Sequence, residues 1–417
     1  MLNRVYAVQK RTLDLWPGHN ERVQYAFAGL TLDTDRYALR RDDEIVHLEP
    51  QVFDVLTYLV EHRDAVVAKS ELLDAVWGDR FVSESALTSR IKAARQAVGD
   101  DGSAQSVIRT VHGRGYQFVA DVQTTATATD PDVPPALPPL DQEIRFCTTS
   151  DGVRLAYALT GAGPPLVRAA VWLTHVDYDL HSPVWRHWLT DLSARHTLVR
   201  YDERGCGLSD HDVEFSFDAW VDDLETVVDA AGLDRFALLG MSQGGAVSMA
   251  YAARHPERVS HLVLVNTYLR GRYLRAETDT ERRDAELQVE MAVVGWGRDD
   301  VAYRHFFASQ FLPGGTPELW DAFAELQRRT TSAENAQAFF TTYGRIDVTA
   351  IARVVRVPTL VLHARDDRRV PYPQAREVAA AIPGSRLVPL DSPNHLFLPD
   401  EPAWDVVMRE IEAFLAT

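Results

Sequence analysis

One segment limits what this chain can fold into: Thr124 to Leu140 reads TTATATDPDVPPALPPL, with five prolines from Pro131 onward. Proline lacks a backbone N–H and holds φ near one value, so the stretch suits neither a helix nor a central strand. It is expected to be a semi-extended linker over residues 123–142. The 417 residues thus divide into two folding units, each long enough to bury its own core.

A 46% hydrophobic and 25% charged composition is that of a folded chain rather than a disordered one. No apolar run approaches the roughly 18 residues needed to cross a bilayer, and Met1 to Lys10 lacks a signal-type apolar region. A cytoplasmic protein with no membrane partner is expected. Cys147 and Cys206 are the only cysteines, too few for a disulfide framework or thiolate metal cluster, and both are expected to be packing residues. No metal or nucleotide motif is present, so no cofactor is expected. The net charge of −17 is unevenly spread: residues 1–122 hold 15 basic against 18 acidic side chains, the remainder 28 against 42. A local cationic face is still open to the first unit.

In that unit Pro50 opens a helical pattern carried by Val52, Phe53, Leu56, Leu59 and Val60. A second helix is expected from Lys69 to Trp77, and a third from about Ser83 to Val98, stopped by Gly99. On the third, Leu87, Ile91, Ala94 and Val98 form one stripe and Ser85, Thr88, Ser89, Lys92 and Arg95 the other. The polar stripe suits either a solvated surface or phosphates and groove edges. A hairpin over Val107 to Val119 should follow.

Ile108-Arg109-Thr110-Val111-His112-Gly113-Arg114-Gly115-Tyr116-Gln117-Phe118 resembles the wing of OmpR/PhoB-type winged-helix regulators. The likeness covers roughly 25–122, with Glu49-Pro50, Leu72 to Gly78 and Ile91 to Gly99 in register. It implies an α+β winged helix that binds double-stranded DNA, with a homodimer on paired half-sites as the expected arrangement. Ser85, Thr88, Ser89, Arg90, Lys92 and Arg95 on the third helix, with Arg109 and Arg114 on the wing, are the expected contacts. Only an extension of about 24 residues precedes this unit, so control through a phosphorylated receiver is not expected.

In the second unit, apolar runs at 166–173, 197–201, 235–239, 261–265, 359–363 and 386–390 alternate with amphipathic stretches, which indicates a mostly parallel sheet covered on both faces. Between Thr267 and Val357 the alternation lapses into helical sequence, read as a cap. Gly240-Met241-Ser242-Gln243-Gly244 lies between a strand and an Ala-rich helix, the setting in which a G-x-S-x-G serine is exposed on a strained turn. A serine nucleophile needs a base and a carboxylate to orient that base. Asp366 and Asp367 follow one late strand and His395 follows the last.

Residues 143–417 resemble the α/β-hydrolase superfamily, including Tyr201-Asp202-Glu203-Arg204-Gly205-Cys206-Gly207-Leu208-Ser209 against its D-x-R-G-x-G-x-S segment. The resemblance implies Ser242, Asp367 and His395 as catalytic residues, with Asp366 as the alternative acid. It also implies an oxyanion site at the backbone N–H of Gln243 and, from Thr174-His175-Val176 in place of His-Gly, of Val176. The missing glycine there suggests slow or restricted turnover. Tyr178, Trp185 and Trp188 are available to wall a pocket. The whole chain is expected to be a one-component transcriptional regulator whose hydrolase domain binds, and by extension hydrolyses, a small ester, thioester or lactone. The other reading is a serine esterase or lactonase with an accessory winged helix.

Overall fold

The computed structural model describes residues 23–34, 38–41, 44–46, 48, 50–77, 84–100, 102–111, 113–126, 140–296 and 301–417. The expected extension lies almost wholly outside these residues, as do 127–139 of the linker. Two compact units are present, 1–137 and 138–417.

The first unit begins with four strands, β1 (Val23–Phe27), β2 (Leu30–Asp33), β3 (Ala38–Arg41) and β4 (Glu44–Val46). After α1 (Pro50–Glu61), β5 (Val67–Ala68), α2 (Lys69–Trp77) and α3 (Glu84–Val98) come the hairpin β6 (Ile108–Val111) and β7 (Gly115–Phe118), then β8 (Gln123–Ala126). The helices and hairpin fall where hydrophobic periodicity places them. Two sheets form, ordered β4-β3-β2-β1-β8 and β5-β7-β6. Strand β8 corrects the linker boundary: Gln123 to Ala126 pair antiparallel with β1. These residues precede the first proline, so their N–H groups remain available to an edge strand.

Leu87, Ile91, Ala94 and Val98 of α3 are buried against Val52, Leu56 and Phe118 in one core, while Thr88, Ser89 and Lys92 are exposed. The hairpin tip requires its glycines unequally. Gly115 has φ +150, and a Cβ there would lie 1.9 Å from the Val67 carbonyl oxygen; Gly113 has φ +71 with open space around it. Gly115→Ala is therefore expected to destabilise this unit by about 2 kcal/mol or more, and Gly113→Ala by only about 1 kcal/mol. Thermal unfolding of the two variants checks the order.

The second unit is an eight-stranded sheet: β9 (Gln142–Thr148), β10 (Arg154–Thr160), β11 (Pro165–Arg168), β12 (Thr197–Tyr201), β13 (Phe236–Met241), β14 (Val259–Val265), β15 (Thr359–Ala364) and β16 (Arg386–Leu390). The order is β16-β15-β14-β13-β11-β12-β10-β9. Strands β11 to β16 run parallel; β10 pairs antiparallel with both β12 and β9. Every residue of β13 and of β15 is buried, as expected for strands covered on both faces. Helices α4 (Arg186–Ser193), α5 (Phe217–Ala230), α6 (Gln243–Arg254), α13 (Pro373–Ala381) and α14 (Pro402–Leu415) belong to this layered body.

Between β14 and β15 the chain forms α7 (Arg272–Arg275), α8 (Asp279–Gly295), α9 (Val301–Phe311), α10 (Pro317–Thr330), α11 (Ala333–Tyr343) and α12 (Thr349–Ala352), the helical excursion read as a cap. Thr278, Thr316 and Ser332 cap α8, α10 and α11 by accepting backbone N–H bonds. Among the described residues, no helix is long and apolar enough to cross a membrane.

Candidate functional site

Ser242 stands between β13 and α6 at φ +51, ψ −124, a conformation that L-residues adopt only when their surroundings hold them there. Its N–H donates to the Val265 carbonyl at 3.0 Å, and its own carbonyl accepts the Thr267 hydroxyl at 2.6 Å. The flanking glycines are steric necessities. A Cβ at Gly240 would sit 2.4 Å from Ser248 Oγ, one at Gly244 2.5 Å from the Ala170 carbonyl, and one at Gly245 2.3 Å from Thr267 Oγ1.

Asp367 follows β15 and His395 follows β16. The Nδ1 of His395 lies 2.7 Å from Asp367 Oδ2, and Asp367 Oδ1 accepts the N–H groups of Arg369 at 2.7 Å and Val370 at 2.9 Å. Burial would raise the Asp367 carboxyl, yet the His395 charge and hydrogen bond, with help from His363 and the Val370 N–H, outweigh it and hold the carboxyl below the ordinary range. Asp366 is exposed; Asp367 is the carboxylate that reaches the imidazole. His395 Nε2 is buried with no hydrogen-bond partner among the described residues, and the imidazole lines a pocket together with Ser242, Gln243, Val171, Trp172 and Phe311. That pocket encloses about 550 Å³, counting the part open to solvent. Asn266, not singled out by sequence, donates to the His395 carbonyl at 2.7 Å and accepts the Ala364 N–H at 2.8 Å, tying both loops to β14.

The expected oxyanion donor at Val176 is overturned. Its N–H donates to Asp202 Oδ1 at 2.7 Å, and its side chain is fully buried beside Ala156 and Ala158. Strand β11 ends at Arg168, five residues before the apolar run does, so the segment facing the elbow is Ala169 to Trp172. The Trp172 N–H lies 3.3 Å from Gln243 Oε1, and Gln243 Nε2 donates to both Glu203 oxygens at 3.1 and 3.0 Å. Burial, reinforced by Asp223, pushes the Glu203 carboxyl well above its usual range. Gln243 opens α6, where a backbone N–H has no intrahelical acceptor. Trp185 and Trp188 do not wall the pocket; both are core side chains, and Tyr178 lies under the Arg329 guanidinium. Trp172 carried no motif that would mark it, and Glu203 stands at the unspecified second position of the D-x-R-G-x-G-x-S segment.

The Asp202 to Ser209 segment braces the site. Asp202 also accepts the Leu208 N–H at 2.8 Å, and Gly207, at φ +57, leaves no room for a Cβ, which would meet Asp202 Oδ2 at 2.1 Å. Ser209 Oγ accepts the Ala156 N–H at 3.0 Å.

In the first unit, Thr88, Ser89 and Lys92 lie exposed on α3, and Arg114 is exposed at the hairpin tip. The side chain of Ser85 lies outside the described residues. Arg95 is corrected: its guanidinium donates to the Ile108 carbonyl at 3.0 and 2.8 Å and to Thr110 Oγ1 at 2.9 Å, which fastens α3 to β6. Arg90 Nε donates to Gln51 Oε1 at 3.1 Å, and the exposed Arg109 to Gln117 Oε1 at 2.6 Å.

Residues 174–402 match the α/β hydrolase fold family, and residues 42–118 match the family of transcriptional regulatory proteins, C terminal. The chain is 30% identical to 2-hydroxy-6-oxo-2,4-heptadienoate hydrolase of Pseudomonas putida, over 60% of this chain and 88% of that protein. It is 28% identical to pyrrolizixenacetamide deacetylase of Xenorhabdus hominickii, over 60% and 91% respectively. The crystal structure of a hydrolase from Pseudomonas aeruginosa PA01 superposes with a TM-score of 0.54 at 26% identity, covering 66% of this chain and 98% of that one. With matched residues spanning more than half its length, the chain belongs to the α/β hydrolase fold family and carries ahead of that domain an OmpR/PhoB-type winged-helix domain.

Proposed function

We propose that this protein is a one-component transcriptional regulator in which the hydrolase domain binds a small acyl compound and Ser242 hydrolyses it. The observation that carries the chemistry is the 2.7 Å contact between Asp367 and His395 Nδ1, which leaves Nε2 unpartnered in the pocket that Ser242 lines. His395 takes the Ser242 proton as Oγ attacks the acyl carbon, while Asp367 fixes the tautomer and steadies the imidazolium. The backbone N–H of Gln243, which has no intrahelical acceptor at the start of α6, stabilises the oxyanion. His395 then gives its proton to the leaving alcohol or thiol, and water, deprotonated by the same imidazole, releases Ser242 and the carboxylic acid.

The winged helix supplies the output, with α3 and the wing on double-stranded DNA. Ligand affects operator affinity only if it binds one conformation more tightly than another, and the cap helices that close over the pocket are the moving part. Lys92→Ala and Arg114→Ala are each expected to weaken DNA binding across sequences and to lower the slope of log K against log salt by about 1. A salt titration in a mobility-shift assay reads this directly, and unchanged slopes would remove these residues from the interface.

The reading as a whole is tested by adding hydrolysed esters or lactones to that assay. A shift in operator affinity supports a regulator. Turnover with no DNA preference in a selection experiment would favour the esterase with an accessory winged helix.

A further inference from the structure

The pocket beside Ser242 and His395 carries more positive charge than its chemistry uses. Arg272 and Arg275 of α7 and Arg369 of the loop after β15 all line it. Among the described residues none of the three makes a salt bridge, and every partner they have is neutral. Arg272 donates to Gln288 Oε1. Arg275 Nη2 donates to the Arg369 carbonyl at 3.0 Å, while its Nη1 is buried with no partner. Arg369 donates to Tyr343 Oη at 2.6 Å and to Gln310 Oε1 at 3.4 Å. Aromatic faces take up some of the charge: Arg275 lies 5.4 Å from the Tyr268 centroid, Arg369 4.9 Å from that of Phe311. Asp367, whose charge acts on Arg275, is committed to His395.

Burial and mutual repulsion push the Arg272 guanidinium down to about 9 and Arg275 in the same direction. Such a cluster is costly unless an anion completes it. A guanidinium presents paired N–H donors that match the two oxygens of a carboxylate.

We infer that Arg272, Arg275 and Arg369 recognise a carboxylate on the acyl ligand, so that the ligand class is an ester, thioester or lactone of a dicarboxylic acid. This rests on the pocket being the ligand site proposed above. The three residues join the cap to the loop that holds Asp367, because α7 begins the cap while the Arg369 N–H bonds to Asp367 Oδ1. An anion held between them draws α7 and that loop together at the catalytic carboxylate.

Two measurements on the full chain test the inference. In the first, kcat/KM for the 4-nitrophenyl monoester of glutaric acid is compared with that for 4-nitrophenyl valerate, which is nearly the same length but uncharged. The wild type should favour the charged ester by about tenfold or more, and Arg275→Gln and Arg369→Gln should each erase most of that ratio, with Arg275→Lys retaining part. In the second, thermal unfolding of Ser242→Ala is followed with glutarate, its neutral diamide, or inorganic phosphate. Glutarate alone should raise the transition, and Arg275→Gln should remove the rise. Glutarate binding without turnover of either ester would uphold the anion site while overturning the hydrolytic reading. Turnover with no charge preference and no glutarate effect would do the reverse. Stabilisation by phosphate alone would overturn the carboxylate assignment.

Discussion

Replacing Ser242 with alanine is expected to abolish fluorophosphonate labelling, read by intact mass, and to lower ester hydrolysis by about four to six orders of magnitude. The reasoning is geometric. Ser242 stands on the elbow and lines the same pocket as the unpartnered Nε2 of a buried imidazole, and among the described residues that line that pocket it is the only aliphatic hydroxyl, with no cysteine beside it. Asp367→Asn should cost nearly as much, about 10⁴-fold, because an amide that donates to Nδ1 selects the wrong tautomer. Ser242→Gly separates catalysis from strain. It should be as inactive as the alanine variant but unfold at a higher temperature, since glycine adopts φ +51 without the cost of about 1–3 kcal/mol that a side chain incurs there. Persistent labelling of Ser242→Ala would place the reactive nucleophile elsewhere, and an unlabelled, folded wild type would recast the domain as a receptor.

Asp223→Ala is expected to destabilise the hydrolase domain by about 3–5 kcal/mol. Arg204 meets Asp223 in a fork, Nη2 to Oδ1 at 2.6 Å and Nε to Oδ2 at 2.8 Å, with side chains 3% and 0% exposed. Removing the carboxylate leaves a buried guanidinium with Asp151, whose half-exposed carboxylate is screened by water. For a domain of this size the loss corresponds to a fall of about 10 °C in the transition. The double variant Asp223→Leu, Arg204→Met should recover much of it, because removing both charges also removes their desolvation cost. Catalysis should suffer alongside stability, since Arg204 adjoins Glu203, which holds the Gln243 side chain. A single variant that melts like the wild type would show that water reaches the pair.

Some of this molecule is written in local patterns. The three winged-helix helices follow from apolar spacing with Pro50 and Gly99 as punctuation, and the wing from paired glycines. The elbow is legible because glycine, serine and glycine between a buried strand and a helix have a steric reason to be there. Strands β1 to β4 and β9 were not legible: they are short or half-exposed, and the turn Ala28-Gly29, with φ +48 and +73, lacks the usual Asn-Gly signal. Val176 was misread because an apolar run does not say where its strand stops. The Leu166 to Leu173 run is buried throughout, but only as far as Arg168 is it strand. Arg95 was misread because helical spacing sorts polar from apolar faces without showing which polar groups are already bonded.

By itself, the sequence determined the division into two units, the class of each, and Ser242, Asp367 and His395 as the residues to watch, because short-range sterics and periodicity act along the chain. Only tertiary structure decided that Asp367 rather than its neighbour reaches His395, that Trp172 rather than Val176 faces the elbow, and that Arg272, Arg275 and Arg369, about 100 positions apart in part, share one pocket. These are matters of distance across a folded sheet and cap, where the ends of separate strands meet, and no local spacing encodes them.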